Sequence, residues 1–441
     1  KEQASVMGIK TIALSMLILS TCLCFGNEEL LGDTDGAWSL LGFNGYAGEV
    51  LINPVTGSSY FYWLFEAVNG NILTDKRPIV IWLQGGPGCS GETGILFENI
   101  GPFYISNSTQ PTINPYAWNS EYHVMSIDFP LGAGFSYHKA HYDMKNTTAQ
   151  ATAQLYNLLV KLSLKYPTWF NRDLYFFGES YAGHWIPGIA YTILMNNKVP
   201  GIQTVFNLKG VGMGDPWTEA YTQLQSYGSY SYQRGLIDME ELSIINTLQQ
   251  QVLTEMANQE WDQANNDLNS VTDLIVTYAG GINVYDIRSY ETNYNLGQIP
   301  TWLSLNSTKN LLHVPLNIDW DQCSGAVNDG YNFDTLDSMS KYLPLMLENI
   351  KVMVYNGADD LICESVGTLQ MLDAVNWPGI GQFINSPRKI WRVNGQIAGY
   401  ANSFGNLSFV IVLRAGHMVP HDQPQNGRDL VYRFINNEGW Q

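Results

Sequence analysis

Ser180 is the residue whose surroundings most clearly suggest chemistry. It lies in the stretch DLYFFGESYAGHWIP (173–187), where a strand-forming run ends at Gly178 and small residues after the serine begin a helix-like stretch. A strand, a sharp turn and a helix lift a hydroxyl above a sheet edge and aim the helix N-terminus at developing negative charge. The usual G-x-S-x-G pattern has Ala182 in its last place, with Gly183 one residue later. The stretch predicts a nucleophile, and a surface serine in a turn is the alternative.

A serine nucleophile needs a base and an acid that orients the base, and both follow later in the chain. The stretch VYNGADDLIC ends a predicted buried strand at Asp359 and Asp360, and IVLRAGHMVPHDQP ends the last predicted strand at His417. Serine, acid and histidine in this order, each after a strand, follow the order of α/β-hydrolases. The predicted triad is Ser180, Asp360 and His417.

Acyl transfer also needs hydrogen-bond donors for the oxyanion. The stretch WLQGGPGCSG follows a buried strand, and its glycines leave backbone N–H groups unobstructed. We assign the oxyanion hole to the amides of Gly86 and Tyr181.

Other polar motifs point less clearly to a site. His417 and His421 are separated by a proline-containing turn, so a metal pair on one helix face is not expected. His138 and His141 have loop-like surroundings and read as solvated side chains. GVGMGD (210–215) lacks the full dinucleotide-binding pattern and reads as close strand packing. We expect no metal.

The elements that position these residues read as an α/β protein. Nearly continuous apolar runs predict strands buried on both faces, typical of a mostly parallel sheet with helices on both sides. The runs cover 60–67, 77–84, 123–129, 173–178, 205–214, 350–357 and 407–413. A helix with a core-facing stripe is predicted at Leu155, Leu158, Leu159 and Leu162. The polar region 217–342 reads as a cap inserted between core segments 27–216 and 343–441.

Composition and the N-terminal segment suggest the secretory pathway. The 441 residues carry a formal charge of −18 and no basic cluster, which argues against a nucleic-acid partner. Residues 1–26 read as a signal peptide, because the apolar run is too short to cross a bilayer. No later stretch predicts a membrane span. We expect a protein that is secreted or in the lysosome or vacuole.

Secretion changes how cysteines and asparagines are interpreted. Cys22 and Cys24 would leave with the signal peptide, so the remaining three predict one disulfide and one free thiol. Four N-x-S/T sequons predict surface glycosylation sites: Asn107, Asn146, Asn306 and Asn406.

Five motifs taken together resemble one enzyme family. WLQGGPGCSG, SIDFPLGAGFSY, GESYAGHWIP, NGADDLIC and AGHMVPHDQP, in this order, are similar to the serine carboxypeptidases, and most closely to their vitellogenic-like branch. The resemblance extends from about residue 40 to the C-terminus and implies an α/β-hydrolase fold with an inserted cap. The chain departs from the family at Gln84 and Glu364, where most members have Asn, and at Ala358, where most have Asp.

The resemblance also implies roles for further residues. It makes Ser180 the nucleophile, His417 the base and Asp360 the residue that orients it. A clamp for the substrate's terminal carboxylate would consist of Gln84, Gly85, Glu98 and Glu179. Substrate pockets would be lined by Tyr181, Thr93, Phe97, Cys363 and Met418. Cys89 and Cys323 would form the disulfide, which leaves Cys363 free.

These observations predict a serine carboxypeptidase that removes C-terminal residues through an acyl-enzyme, favours acidic pH and needs no metal or organic cofactor. Its partners would be peptides with a free C-terminal carboxylate, and the protein would be a monomer or homodimer. Glu179 and Glu98 are expected to share a proton, because two carboxyls held close repel each other when both are charged. An acyltransferase and a non-catalytic protective or binding protein are the alternatives.

Overall fold

A computed structural model describes residues 33–291 and 294–440. Its main element is an 11-stranded sheet with the order β1-β2-β3-β7-β4-β8-β9-β10-β13-β12-β11. A separate pair is formed by β5 and β6. The strands are β1 (Gly36–Leu40), β2 (Phe43–Asn53), β3 (Ser58–Phe65), β4 (Ile79–Leu83), β5 (Phe103–Tyr104), β6 (Thr112–Ile113), β7 (His123–Ile127), β8 (Leu174–Glu179), β9 (Leu208–Gly214), β10 (Lys351–Gly357), β11 (Lys389–Val393), β12 (Gln396–Phe404) and β13 (Leu407–Val412).

The middle of the sheet is parallel and its two sides are antiparallel. Strands β7, β4, β8, β9, β10 and β13 pair in parallel, as the apolar runs predicted. Antiparallel strands β1 to β3 continue one side, and β12 and β11 the other. The sheet confirms the α/β-hydrolase fold.

Helices cover both faces of the sheet. They are α1 (Gly91–Leu96), α2 (Thr148–Lys165), α3 (Ala182–Asn196), α4 (Ala220–Gln223), α5 (Tyr227–Gln233), α6 (Met239–Asn258), α7 (Trp261–Tyr278), α8 (Ile299–Ser304), α9 (Asn306–Leu311), α10 (Gly325–Gly330), α11 (Leu343–Asn349), α12 (Ser365–Ala374), α13 (Ile380–Ile384), α14 (Val419–Asp422) and α15 (Pro424–Asn436). The predicted leucine stripe on α2 is buried, as expected. Alternate residues of the strands face opposite sides: Ile81 packs in one apolar cluster and Trp82 in the other.

The segment 217–342, predicted as a cap, divides between the two faces of the sheet. Buried residues of α6 and α7 join the cluster that contains α2 and α3. Leu303 and Trp302 join the opposite cluster, where the Trp302 ring lies 6.2 Å from the Trp63 ring of β3. The segment therefore packs against two sides of the core.

No helix in the described ranges is long and apolar enough to cross a membrane. The predicted signal peptide lies outside the described residues.

Candidate active site

Ser180 stands between β8 and α3 with a left-handed backbone, φ 60°. Its N–H donates to the Gly214 carbonyl at 3.0 Å, and its own carbonyl accepts from Gly183 and Trp217 at 2.9 Å. A positive φ is uncommon for a serine and is maintained by the surrounding hydrogen bonds. The predicted strand, turn and helix are therefore present around the hydroxyl.

The shift of the motif's last glycine has a steric reason. A Cβ at Gly183 would lie 2.5 Å from the Trp217 carbonyl oxygen and 2.8 Å from Pro216 Cβ. The loop after β9 crosses the start of α3 at this point, so position 183 has no room for a side chain.

The histidine and the acid are hydrogen-bonded to each other. His417 Nδ1 lies 2.9 Å from Asp360 Oδ2, and both side chains are buried. Asp360 also accepts from the amides of Ile362 at 3.1 Å and Cys363 at 3.2 Å. These bonds orient the carboxylate toward the imidazole. In the described residues Ser180 Oγ has no hydrogen bond to His417, and such contacts often tighten only when substrate binds.

A loop of the inserted segment connects the acid and histidine loops. The Tyr285 carbonyl accepts from the His417 amide at 2.7 Å, and the Ile287 amide donates to the Asp359 carbonyl at 3.0 Å. Arg288 forms ion pairs with Asp286 at 2.7 Å and Asp422 at 2.9 Å. The segment therefore contributes to the positions of both loops.

The backbone amides of Gly86 and Tyr181, beside the serine, have no hydrogen-bond acceptor among the described residues. The turns that carry them are in close contact. A Cβ at Gly85 would lie 2.5 Å from Ser180 Cβ and 2.8 Å from the Tyr181 nitrogen. The free donors could stabilise an oxyanion.

Gln84, Glu98 and Glu179 form a buried cluster next to the serine. Gln84 Nε2 donates to one oxygen of each carboxyl at 3.0 Å, and Trp82 Nε1 donates to Gln84 Oε1 at 2.8 Å. Because an indole N–H can only donate, this contact fixes the amide with its NH₂ toward the acids. The longer Gln side chain thus still delivers its amide to both carboxyls.

The surroundings of the two carboxyls favour their protonated forms. Burial and the charge of Glu98 raise the pKa of Glu179 well above its ordinary value. Burial also raises the pKa of Glu98. Their second oxygens are buried without a partner among the described residues. A proton on this pair could be donated to a carboxylate ligand.

The structure separates the predicted pocket residues. Cys363 and Tyr181 line a cavity at Ser180, while Phe97 lines a second cavity with His421 stacked 4.1 Å from its ring. Thr93 is buried, and Met418 is half-buried outside the lining of both cavities. The sequence analysis missed most of the wall around the serine, including Trp217, Tyr227, Asn265, Leu268, Asn269, Thr272 and Tyr285. These residues come from the inserted segment, whose polar helices carry no local signal of facing a cavity.

Asp334 is a further residue that the sequence analysis missed. Its carboxylate accepts from Tyr181 Oη at 2.9 Å and from the amide of Thr148 at 2.9 Å. It thereby attaches the inserted segment to the residue that carries one of the free amides. The two residues are 153 positions apart, so no sequence pattern could pair them.

The cysteines are arranged as the resemblance implied. Cys89 and Cys323 form a disulfide, and Cys363 is free and buried. Cys363, Asp360 and His417 place possible metal-ligating atoms within 4.8 Å of one another. However, Asp360 and His417 already bond to each other, and burial raises the pKa of the Cys363 thiol well above its ordinary value. The thiolate that a metal would need is therefore disfavoured.

Of the two other departures from the family pattern, Glu364 has a structural explanation, and nothing in the structure explains alanine in place of aspartate at position 358. Glu364 caps α12 by accepting from the Gly367 amide at 3.0 Å, and its pKa is raised to about 7 by burial. The Ala358 carbonyl accepts from Tyr230 Oη at 3.0 Å, a contact that does not depend on the side chain.

Three of the four sequon asparagines are exposed: Asn107, Asn146 and Asn306. Asn406 is half-buried, and its Nδ2 donates to the Leu347 carbonyl at 2.9 Å. A glycan on Asn406 would have to be compatible with that contact.

Comparison with known proteins identifies relatives across most of the chain. Residues 36–437 match the family model described as serine carboxypeptidase. "Serine carboxypeptidase S10 family member 1" of Dictyostelium discoideum is 35% identical over 89% of this chain and 94% of its own. "Probable serine carboxypeptidase CPVL" of the same organism is 32% identical over 93% and 81%. The crystal structure of Kex1(Δ)p, a prohormone-processing carboxypeptidase from Saccharomyces cerevisiae, matches with a TM-score of 0.79 and 26% identity, covering 89% of this chain and 91% of that one.

Proposed function

Because the chain belongs to the serine carboxypeptidase family and is a serine-type carboxypeptidase acting on peptides, we propose that Ser180, His417 and Asp360 are its catalytic triad. The proposal also includes a clamp that binds the substrate's terminal carboxylate and consists of Gln84, Gly85, Glu98 and Glu179. The observation that carries this proposal is the buried cluster beside the serine turn, in which one amide group donates to two carboxyls. Such a cluster is suited to binding a free carboxylate next to the scissile bond.

The triad performs acyl transfer in two steps. Ser180 Oγ attacks the carbonyl carbon while His417 takes its proton, and the amides of Gly86 and Tyr181 stabilise the oxyanion. The C–N bond then breaks, His417 gives the proton to the departing amine, and an ester remains on Ser180. Water, deprotonated by His417, hydrolyses the ester and releases the shortened peptide.

The clamp recognises the residue that departs. A carboxyl of the Glu98–Glu179 pair donates its proton in a hydrogen bond to the substrate's α-carboxylate, and the Gln84 amide and Gly85 backbone contribute further donors. A substrate with a free C-terminus therefore makes hydrogen bonds in this arrangement that a blocked substrate cannot make. Since the pair must keep its proton, the clamp favours acidic pH.

The cavity at the serine favours uncharged side chains on the acyl side of the scissile bond. No Asp, Glu, Lys or Arg is among its described lining residues, and tyrosines, a tryptophan and asparagine amides form much of the wall. An ionised side chain would lose its hydration there without a partner of opposite charge.

We also propose that the protein is delivered to the secretory pathway, as a secreted, lysosomal or vacuolar enzyme. The disulfide and the exposed sequon asparagines support this location.

The function is tested with an N-blocked dipeptide acid at acidic pH. We expect release of the C-terminal amino acid, and the Ser180→Ala variant should lose about 10³-fold or more of kcat/KM while its thermal unfolding stays unchanged. Formation of an ester with an added alcohol, at the expense of hydrolysis, would identify an acyltransferase. Binding without turnover would identify a non-catalytic protein, and full activity in the variant would contradict the assignment of Ser180.

A further inference from the structure

Four asparagine side chains line the cavity at Ser180 and take no part in the proposed triad, oxyanion hole or clamp. Asn265 and Asn269 belong to α7, Asn328 belongs to α10, and Asn332 follows α10. Their carboxamides have no hydrogen bond to another described residue, and Asn265 is half-buried while the other three are exposed. A carboxamide offers an oxygen that accepts and an NH₂ group that donates. The wall of the cavity therefore has hydrogen-bonding groups that the folded chain itself does not use.

Helix α7 carries its two asparagines on one face. Asn265, Asn269 and Thr272 are spaced by four and three residues, which places them side by side along the helix. The Thr272 hydroxyl is already used, because it donates to the Asn269 carbonyl at 2.9 Å. The Trp261 ring at the start of α7 lies 5.3 Å from the Phe333 ring, so the segment that follows α10 runs beside the first turn of α7. Both pairs of asparagines thus belong to one region of the wall.

This region shares a cavity with the part of the site that receives the acyl side of the substrate. Gly86 and Tyr181, whose amides form the proposed oxyanion hole, line the cavity together with Ser180. No residue of the proposed clamp is among its described lining residues. Because the clamp binds the departing residue, the chain that precedes the scissile bond must extend from Ser180 into this cavity, toward the asparagines.

We propose that the asparagines of the inserted segment bind the substrate's peptide backbone upstream of the scissile bond, so that the enzyme cleaves oligopeptides more efficiently than dipeptides. Residues four apart on a helix are separated by about 6 Å along its axis. Alternate peptide groups of an extended chain point to the same side and are about 7 Å apart. Asn265 and Asn269 can therefore each bind one of two such groups in a single extended substrate. This inference rests on the proposed function of the triad and the clamp.

The chemistry of the four groups fits a peptide backbone better than a substrate side chain. A peptide group has one N–H and one C=O, and a carboxamide can donate to the C=O while it accepts from the N–H. A single uncharged side chain has too few donors and acceptors to pair with four carboxamides, whereas successive peptide groups supply one of each. Because these contacts involve no substrate side chain, the preference for length should depend little on the upstream sequence.

The first test measures how kcat/KM depends on peptide length. N-acetylated peptides of two, three and four residues share the same last two residues, and wild type should show kcat/KM rising by about 2- to 12-fold for each hydrogen bond gained. The double variant Asn265→Ala/Asn269→Ala should lower the ratio of tetrapeptide to dipeptide kcat/KM by a similar factor per carboxamide. Alanine favours a helix more than asparagine does, so this variant should fold.

Asn266→Ala is the matched control, because Asn266 is an exposed asparagine of the same helix that is not among the lining residues of the cavity. It should preserve the wild-type ratio. A wild-type ratio near one, or a ratio that the double variant retains, would overturn the proposal.

The second test asks whether the backbone is the group that binds. Ester bonds in place of the upstream amide bonds of the tetrapeptide remove N–H donors and leave every side chain unchanged. Wild type should cleave this analogue less efficiently than the all-amide tetrapeptide, and the double variant should cleave the two alike. Equal cleavage of the two by wild type would overturn the proposal and would point to recognition of side chains.

The outcomes separate this inference from the proposed function. Hydrolysis of the dipeptide without a gain from length contradicts this inference alone, whereas no hydrolysis of the dipeptide contradicts the proposed function. The contribution of the asparagines is also measured without turnover, as the Kd of the tetrapeptide for chains that carry Ser180→Ala, with Asn265 and Asn269 either intact or replaced by alanine. We expect weaker binding by about 2- to 12-fold per carboxamide removed, and an unchanged Kd would refute the proposal.

Discussion

Glu179 directly precedes the proposed nucleophile, where a charged carboxylate would repel both the oxyanion and the substrate's terminal carboxylate. Glu179 is buried against Glu98 and Gln84, and this burial raises its pKa and favours the uncharged form, which lessens the repulsion. A neutral carboxyl can donate to an anion, whereas an ionised one can only accept. The proposed specificity for a free C-terminus thus depends on the protonation state of one pair of carboxyls.

The clamp predicts a pH-dependent preference for acids over amides. With a raised pKa, Glu179 is protonated at acidic pH and loses its proton as pH rises through that value. We expect kcat/KM for a dipeptide acid to exceed that for its amide by about 10- to 150-fold per lost hydrogen bond at acidic pH, and the ratio to fall as pH rises. The measurement is kcat/KM for both substrates from acidic to neutral pH.

Glu179→Gln should flatten this pH dependence, because its amide donates at every pH. Glu49→Gln replaces a buried glutamate elsewhere and should leave the ratio as in wild type. Equal cleavage of acid and amide throughout, or an unchanged profile in Glu179→Gln, would refute the clamp.

The site is formed by loops at the carboxyl ends of parallel strands. Register aligns Leu83 with Gly178 and Gly178 with Met213, so β4, β8 and β9 end at the same edge. The turn after β4 then meets the turn after β8, and the contact leaves no room for a side chain at Gly85. The distance between the clamp, the free amides and the serine is therefore set by the packing of two turns.

Gly85→Ala should separate these turns and impair catalysis. A methyl group 2.5 Å from Ser180 Cβ must displace one turn, and a displacement of this kind can cost about 10²-fold in kcat/KM. Gly381→Ala in α13 is the control, because a Cβ there meets no atom within 4 Å. It should leave activity unchanged and stabilise the protein by at most about 1 kcal/mol. Wild-type kinetics in Gly85→Ala would show that the turns are not in contact.

Buried and half-buried carboxyls occur throughout the molecule, and their pKa values are shifted in both directions. Burial raises the pKa of Glu49 and of Glu364 to about 7, and it raises that of Asp128 well above its ordinary value. Hydrogen bonds and nearby histidines lower the pKa of Asp75 and Asp334. The first group binds protons more tightly in the folded state than in the unfolded state, and the second less tightly.

The whole protein should therefore be most stable at mildly acidic pH. The stabilisation by Glu49 and Glu364 is complete below about pH 4.5, which is their pKa in the unfolded chain. It is lost as pH rises through about 7, their pKa in the folded protein. Stability from Asp75 and Asp334 is lost below about pH 3.8. We expect the midpoint temperature of thermal unfolding to decrease as pH rises from about 4.5 to 7, and to decrease again in strong acid.

Glu49→Gln should reduce the decrease of the thermal midpoint toward neutral pH, since it removes one of the carboxyls that cause this decrease. Glu348→Gln changes an exposed glutamate and should preserve the wild-type curve. A midpoint that rises steadily to neutral pH would contradict this account. Thermal unfolding followed by circular dichroism at closely spaced pH values distinguishes these outcomes.

The sequence by itself determined the buried strands, the parallel middle of the sheet and the order of the proposed triad. These features have local signals: apolar runs for strands, glycine-rich turns at their ends, and a serine, an acid and a histidine that each follow a strand. The antiparallel strands β1, β11 and β12 were not predicted, because they are only partly buried and lack continuous apolar runs.

Only the tertiary structure decided how distant segments complete the site. The cavity wall and the contact between Asp334 and Tyr181 join residues far apart in the chain. The division of the inserted segment between two faces of the sheet is of the same kind. Local patterns record which side of an element is buried, but not which other element covers it. Where a proton resides likewise depends on burial and on hydrogen-bond partners, and both arise only when the chain is packed.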